Sequence, residues 1–167
     1  MSEPEGKMSE KDGLTYVPLA KAHVPVLLPI EHEAYPDPWT QGMFLQEIRN
    51  GASHFFLAFE GEALVAYGGF WLLIDEIHIT KLTVAPSHRR RGLGAALMGY
   101  LEAHGQQVGG TTVRLEVRES NTAARTLYAR GGFQEIGIRK KYYAATGENA
   151  VVMVKHLLPH DPGHAHR

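Results

Sequence analysis

At 167 residues the chain has the length of one domain, and its 44% apolar composition is enough to bury a real core. A formal net charge of -1 excludes a global attraction to nucleic acid, and the absence of cysteine excludes disulfides, thiolate zinc sites and a cysteine nucleophile together. There is no charged-then-apolar leader and no apolar run of about 18 residues, so the expected location is the cytoplasm, with no membrane partner.

Residues 1–12 combine charge, Pro and Gly with almost nothing apolar, and a disordered tail is expected there. Leu14, Tyr16 and Val17 predict a short opening strand. From His23 to Tyr35 apolar residues recur at Val24, Leu27, Leu28 and Ala34, but Pro25 and Pro29 permit a helix only if it starts near the first and bends or restarts at the second. Tyr35-Pro36-Asp37-Pro38-Trp39 reads as a turn. Thr40 is a fair N-cap for a second helix with Phe44, Leu45 and Ile48 facing inward, ended by Asn50-Gly51. Strands over 53–59 and 63–73 follow, joined by Glu60-Gly61, with Gly68-Gly69 marking a bulge.

Residues 76–105 read as strand, loop and helix. Ile77, Ile79, Leu82 and Val84 form the strand and Pro86 ends it, having no NH to donate. Leu93, Leu97, Tyr100 and Leu101 then share one helical face, with Gly105 as the expected stop. Between them Arg89, Arg90, Arg91, Gly92, Leu93, Gly94 and Ala95 lie at a helix start, where unpaired backbone NH groups and the macrodipole attract phosphate and glycine lets the ligand touch the backbone. A pyrophosphate-bearing ligand is implied. The triphosphatase pattern is absent, since no Gly-Lys pair followed by Ser or Thr begins a helix. The dinucleotide pattern is met by Gly92 and Gly94, with the acidic Glu116 roughly 20 residues on, but its third glycine is Leu97. A third pattern, Arg-x-x-Gly-x-Gly, is met by Arg89, Gly92 and Gly94.

After this helix, residues 112–118 alternate as a strand expected to run parallel to the central one, with Val113, Leu115 and Val117 on one face and Arg114, Glu116 and Arg118 on the other. Glu116 is either a solvated strand residue or a group beside the ligand. Ser120 and Asn121 open a helix carrying Ala124, Leu127 and Tyr128; Asn121 either caps it or meets the ligand, and Tyr128 is either core or functional. Gly131-Gly132 closes that helix, and strands over 133–143 and 149–157 finish the fold. The order β, α, α, β, β, β, α, β, α, β, β predicts an α+β chain with a mixed sheet and helices on its faces over 13–158, unlike the repeated βα units of a dinucleotide domain. Residues 159–167 carry three histidines but no scaffold, so a second disordered tail and no metal site are expected.

Arg89, Gly92 and Gly94 after a strand ending Leu82-Thr83-Val84-Ala85-Pro86 resemble the coenzyme A loop of the GNAT N-acetyltransferases. Leu115-Glu116-Val117-Arg118-Glu119-Ser120-Asn121, then Leu127-Tyr128 ahead of Gly132-Phe133, then Ile138-Arg139-Lys140-Lys141-Tyr142-Tyr143, resemble the bacterial ribosomal-protein N-alpha-acetyltransferases of the RimI type from about residue 76 to 153, with a looser match at Pro38-Trp39. The resemblance implies a GNAT-like, mostly antiparallel central sheet, acetyl-CoA as co-substrate, and a protein N-terminal amine, that of a ribosomal protein, as acceptor in a ternary complex. It also implies that Leu82, Thr83 and Val84 pair with the pantetheine arm through their backbone, that the 89–95 loop holds the pyrophosphate and that Asn121 and Tyr128 touch the cofactor. Glu116 would be the general base, Tyr128 the general acid, and Trp39, Tyr142 and Tyr143 would line the acceptor site. Ala144 and Asn149 depart from the family, where Pro and Asp are common, and both fall on the acceptor side. A small-molecule or lysine amine is the alternative acceptor, and a non-catalytic coenzyme A or RNA-binding module the alternative class, disfavoured by the presence of both Glu116 and Tyr128.

The chemistry accounts for these roles. An ammonium cannot attack a thioester, so a carboxylate that accepts its proton is useful, and burial would have to raise the Glu116 pKa from about 4.3 to make it a good base. Departing thiolate needs a donor. A phenol supplies one, and backbone NH groups steady the oxyanion.

Overall fold

The computed structural model describes residues 9–11, 13–144 and 146–159, which form two compact units. One comprises the described residues to Trp71 together with Ile79–Leu101; the other comprises Leu72–His78 and the described residues from Glu102 onward.

The first unit contains β1 (Ser9–Lys11), β2 (Leu14–Pro18), a 3₁₀ turn at Lys21–His23, α1 (Val24–Ala34), α2 (Gln41–Arg49), β3 (Ser53–Glu60) and most of β4 (Ala63–Leu73). It also holds the C-terminal half of β5 (Glu76–Val84), a 3₁₀ turn at Pro86–His88 and the start of α3 (Leu93–Gln107). Its strand order is β1-β2-β3-β4-β5, and β1 to β4 pair antiparallel. Aliphatic and aromatic residues set by the two helical periods and by strand alternation meet in one cluster of Leu19, Val24, Leu27, Phe44, Phe55, Leu57, Leu64 and Tyr67. Phe44 presents its edge to Phe55 and Tyr67, and burying rings of this size is the largest apolar gain available to the unit.

Several local expectations change here. Residues 9–11 of the expected N-terminal tail form β1, with Glu10 opposite Thr15, because the open edge of β2 offers backbone groups that any sequence can meet; the rest of residues 1–12 and the 160–167 tail lie outside the described residues. Helix α1 runs unbroken through Pro29, forgoing only the bond that Pro29 cannot donate, while Pro25 sits in the first turn. In α2 the Thr40 hydroxyl caps the Met43 NH at 3.2 Å as expected, but Ile48 is exposed and Glu47 takes the inward place. Ser53 Oγ and Trp71 Nε1 donate to Glu47, at 2.6 and 2.9 Å, which makes its burial tolerable. The bulge lies between Ala58 and Phe59 opposite Val65, not at Gly68-Gly69. Those glycines serve close approach: a Cβ on Gly68 would strike the Lys81 carbonyl, and one on Gly69 would lie 2.6 Å from the His54 carbonyl.

The second unit contains the first residues of β5, the end of α3, β6 (Thr112–Arg118), α4 (Thr122–Arg130), β7 (Gln134–Tyr143) and β8 (Glu148–His156), in the strand order β5-β6-β8-β7. β5 and β6 are parallel, as expected, with His78 opposite Arg114; the other pairs are antiparallel. The fold is therefore a mixed, mostly antiparallel sheet with helices, the α+β class expected. Val113, Leu115 and Val117 are buried, which turns Arg114, Glu116 and Arg118 to the opposite face. Gly105 does not stop α3. The helix continues to Gln107, and Gly105 lets it pack closely on Ile77, since a Cβ there would lie 2.5 Å from Ile77 Cδ1 and displace that side chain. Two register shifts break the pairing of β7 with β8, the second between Arg139 and Tyr143, where Lys141 has φ 52°.

Candidate active site

The loop after β5 belongs to the first unit. Ala85 donates to the Val65 carbonyl at 2.8 Å, the chain turns through Pro86–His88, and Arg90 and Gly92 adopt φ of 65° and 78° before α3 begins at Leu93. Gly92 takes this conformation freely, whereas Arg90 bears a strain of about 1 kcal/mol, of the kind retained at ligand-binding loops. The first intrahelical bond runs from the Ala96 NH to the Gly92 carbonyl at 3.1 Å, so the NH groups of Leu93, Gly94 and Ala95 have no helical acceptor. These residues fit the diphosphate of a coenzyme A. Arg89 and Arg90 are exposed beside them. Arg91 is engaged: its Nη1 and Nη2 meet Glu60 Oε1 and Oε2 at 3.1 and 2.5 Å, and this fork holds the Glu60 carboxyl below its usual range.

Thr83 is buried on β5, its hydroxyl 2.6 Å from that of Tyr35. Next to it lies a polar cluster that sequence reasoning missed. Glu31, on the buried stripe of α1, accepts from Lys81 Nζ at 2.8 Å, from the Trp39 NH at 2.8 Å and from the Tyr67 hydroxyl at 2.6 Å. Lys81 Nζ also stands 4.1 Å from the Tyr35 ring centre and 4.5 Å from that of Trp39. Burial pushes the Lys81 ammonium down and the Tyr35 and Tyr67 phenols up. The cluster fastens the turn carrying Trp39 onto β5. A glutamate four residues after Leu27 on an apolar face, and a lysine between Ile79 and Leu82, were the available signals.

In the second unit the side chain of Glu116 is only 5% exposed, and its carboxylate gathers basic side chains from three strands. His78 Nε2 on β5 lies 2.8 Å from Oε1, while Arg114 Nε on β6 and Arg139 Nη1 on β7 lie 3.2 and 3.9 Å from Oε2. Burial pushes the carboxyl up, but the hydrogen bonds and charges of His78 and Arg114 outweigh it and hold the group below the usual Glu range. That reverses the expected direction. His78, Arg114 and Arg139 were not singled out by the sequence.

Tyr143 donates to the Glu116 carbonyl at 3.3 Å and stacks on the Arg118 guanidinium at 4.1 Å; burial raises its phenol to about 12. Tyr142 is more exposed, lies over Arg139 at 4.4 Å and meets Tyr143 edge-on. The kink that aims both rings is held by Asn149, which accepts from the Lys141 NH at 2.9 Å and donates to Glu119 at 3.2 Å. Asn121 caps α4, accepting from the Ala124 NH at 3.1 Å. Tyr128 is buried with its ring against Phe133. The structure thus brings Glu116, Tyr143 and, through Arg139, Tyr142 together. Among the described residues no group of His, Asp or Glu is arranged to hold a metal, and no helix is long and apolar enough to cross a membrane.

The model of the Acetyltransferase (GNAT) family matches residues 24–133. The chain is 34% identical over 137 residues to the ribosomal protein bS18-alanine N-acetyltransferase of Escherichia coli (strain K12), covering 81% of this chain and 92% of that one. With the enzyme of the same name from Haemophilus ducreyi it shares 36% over 135 residues, 78% of this chain and 92% of that one. The crystal structure of the ribosomal-protein-S18-alanine N-acetyltransferase from Escherichia coli superposes with a TM-score of 0.80 at 30% identity, covering 89% of this chain and 97% of that one. Loop, sheet and sequence agree: the chain belongs to the GNAT family of acetyltransferases, whose acyl donor is acetyl-CoA.

Proposed function

We propose that this enzyme transfers the acetyl group of acetyl-CoA to the N-terminal α-amine of a protein, an alanine-starting ribosomal protein being the class its relatives' names indicate, by direct attack in a ternary complex in the cytoplasm. The observation that carries this reading is the buried, ionised carboxylate of Glu116, in a chain 34% identical to the E. coli bS18-alanine enzyme over 81% of its length. An ionised carboxylate can accept a hydrogen bond, and then the proton, from an incoming α-ammonium. The α-amine has a pKa near 8 against about 10.4 for lysine, so freeing a lysine amine at the same pH would take about 3 kcal/mol more.

Donor binding is assigned to the 82–84 backbone, to the 89–95 loop and to Asn121. Trp39, Tyr142 and Tyr143 hold the acceptor. The amine nitrogen forms the new C–N bond as its proton leaves through Glu116, directly or by way of water; the C–S bond then breaks, and Tyr128 donates to the departing thiolate.

Single-turnover rates test these roles. Glu116→Gln should lower the rate by roughly 10² to 10⁴ at neutral pH and recover partly at high pH, where the amine loses its proton unaided. Tyr128→Phe should show a defect that persists at high pH. Both should bind acetyl-CoA nearly as the wild type does, since the loss lies in the transition state. A Glu116→Gln rate within a few-fold of wild type, with chemistry limiting, contradicts the assignment.

A further inference from the structure

Arg114 Nε lies 3.2 Å from Glu116 Oε2, and Arg139 Nη1 stands 3.9 Å from the same oxygen, beyond hydrogen-bonding reach. Among the described residues neither guanidinium pairs with any other carboxylate. Two further carboxylates, Glu119 after β6 and Glu148 at the start of β8, are committed elsewhere. Glu119 accepts from Asn149 at 3.2 Å, while Glu148 accepts from the Ser120 NH at 2.9 Å and lies 3.8 Å from Arg118. The remaining titratable groups against Glu116 are His78 on β5 and Tyr143 on β7, whose phenol is raised to about 12, and neither brings negative charge near neutrality. Two guanidiniums thus face one carboxylate, and the cluster carries positive charge in excess. The Tyr142 ring, 4.4 Å from Arg139, holds that guanidinium in place without neutralising it.

We propose that Arg114 and Arg139 act as a charge filter on the acceptor, admitting an amine in its neutral form and turning away one that stays an ammonium. The inference rests on the acetyl-transfer reading above and says how the α-amine is told from lysine. A neutral amine brings no net charge to Glu116. An ammonium brings a positive charge into a cluster that already has one too many, where one carboxylate is shared between two cations. At pH 7 a pKa near 8 leaves about a tenth of an α-amine neutral, whereas a pKa of about 10.4 leaves less than about a thousandth of a lysine side chain so. A penalty on charge therefore weighs lightly on the first and heavily on the second. It weighs more heavily still on a polyamine, whose other nitrogens remain charged when one is freed.

The test is kcat/KM for two peptides with acetyl-CoA, one with a free N-terminal alanine and no lysine, the other with a capped N-terminus and a single lysine. The wild type should favour the first, and the preference should narrow as salt is raised from about 0.05 to 0.5 M, because Arg139 is half exposed and its field is screened. Arg114→Gln and Arg139→Gln should each reduce the preference by about tenfold, chiefly by raising the lysine rate, while Arg139→Lys, which keeps the charge, should retain it. From about pH 6 to 9 the wild-type kcat/KM for the alanine peptide should climb through the pKa of the free α-amine near 8. The climb should flatten when both arginines are replaced, since the ammonium form is then admitted; a merely structural role predicts neither this nor a gain of activity toward lysine. A wild type that prefers the α-amine, with both Gln variants within about twofold of its preference, overturns this inference alone. If the Gln variants do not fold, the salt series on the wild type decides, and a preference that salt leaves unmoved overturns it. A wild type that acetylates both peptides equally overturns the α-amine reading and this inference with it.

Discussion

Tyr143 carries a burial cost that pH can read and a proposed contact with the acceptor. Its phenol is raised to about 12 by burial, so keeping it neutral stabilises the fold fully below the unfolded tyrosine value of about 10, and that contribution is lost as pH rises through the folded value. Tyr143→Phe should therefore flatten the loss of stability between these two values in alkaline melts. If the ring also lines the acceptor site, the variant raises KM for peptide and leaves KM for acetyl-CoA nearly unchanged; equal effects on both would mean packing alone. Lys81 and Glu31 are a purely internal case. Removing one partner of a buried ion pair strands the other, at a cost of about 3–5 kcal/mol. Lys81→Met should show a loss of that size in denaturant unfolding, and Glu31→Gln in the same chain should recover much of it. A double variant as unstable as the single one would show that the charge left on Glu31 is not the cause.

At the scale of elements, several local signals were legible in the sequence, although the inward face expected for Ile48 and the helix stop expected at Gly105 were not met. The Thr40 and Asn121 caps, the alternation of β6 and the strand-loop-helix around Gly92 each depend on neighbours within a few residues. β1 escaped because its pairing needs the edge of β2 and no apolar side chain of its own. The bulge opposite Val65 was misplaced because a Gly-Gly pair signals close approach as readily as irregularity. In the site, the motif positions of Glu116 and Tyr128 could be read, but the surroundings of Glu116 could not. His78 lies 38 positions away from it, and the Lys81–Glu31 pair spans 50, distances over which no periodicity carries information. The direction of the Glu116 shift was missed for the same reason: burial was foreseeable, and the hydrogen bonds and charges brought by His78 and Arg114 were not. The loop gives the element-scale prediction. Val at Gly94, in the first turn of α3, should abolish stabilisation by acetyl-CoA and leave the far-ultraviolet spectrum unchanged; an undiminished ligand shift would remove the loop from the coenzyme site.

For the whole molecule, donor binding should appear as stability. Acetyl-CoA at 100 times its dissociation constant should add about 2.7 kcal/mol, a rise in Tm of roughly 5–11 °C for a chain of this size, while NAD adds nothing. The net charge of -1 gives the molecule no general affinity for polyanions, so this gain is expected to come from the 89–95 loop. What the enzyme does with the donor is decided most directly by one peptide bearing both a free N-terminal alanine and an internal lysine, incubated with acetyl-CoA and sequenced by fragmentation mass spectrometry. The account predicts one acetyl group, on the α-amine, with coenzyme A released in equal amount. Acetyl on the lysine alone, or an unmodified peptide beside rapid acetylation of a free polyamine, would contradict it.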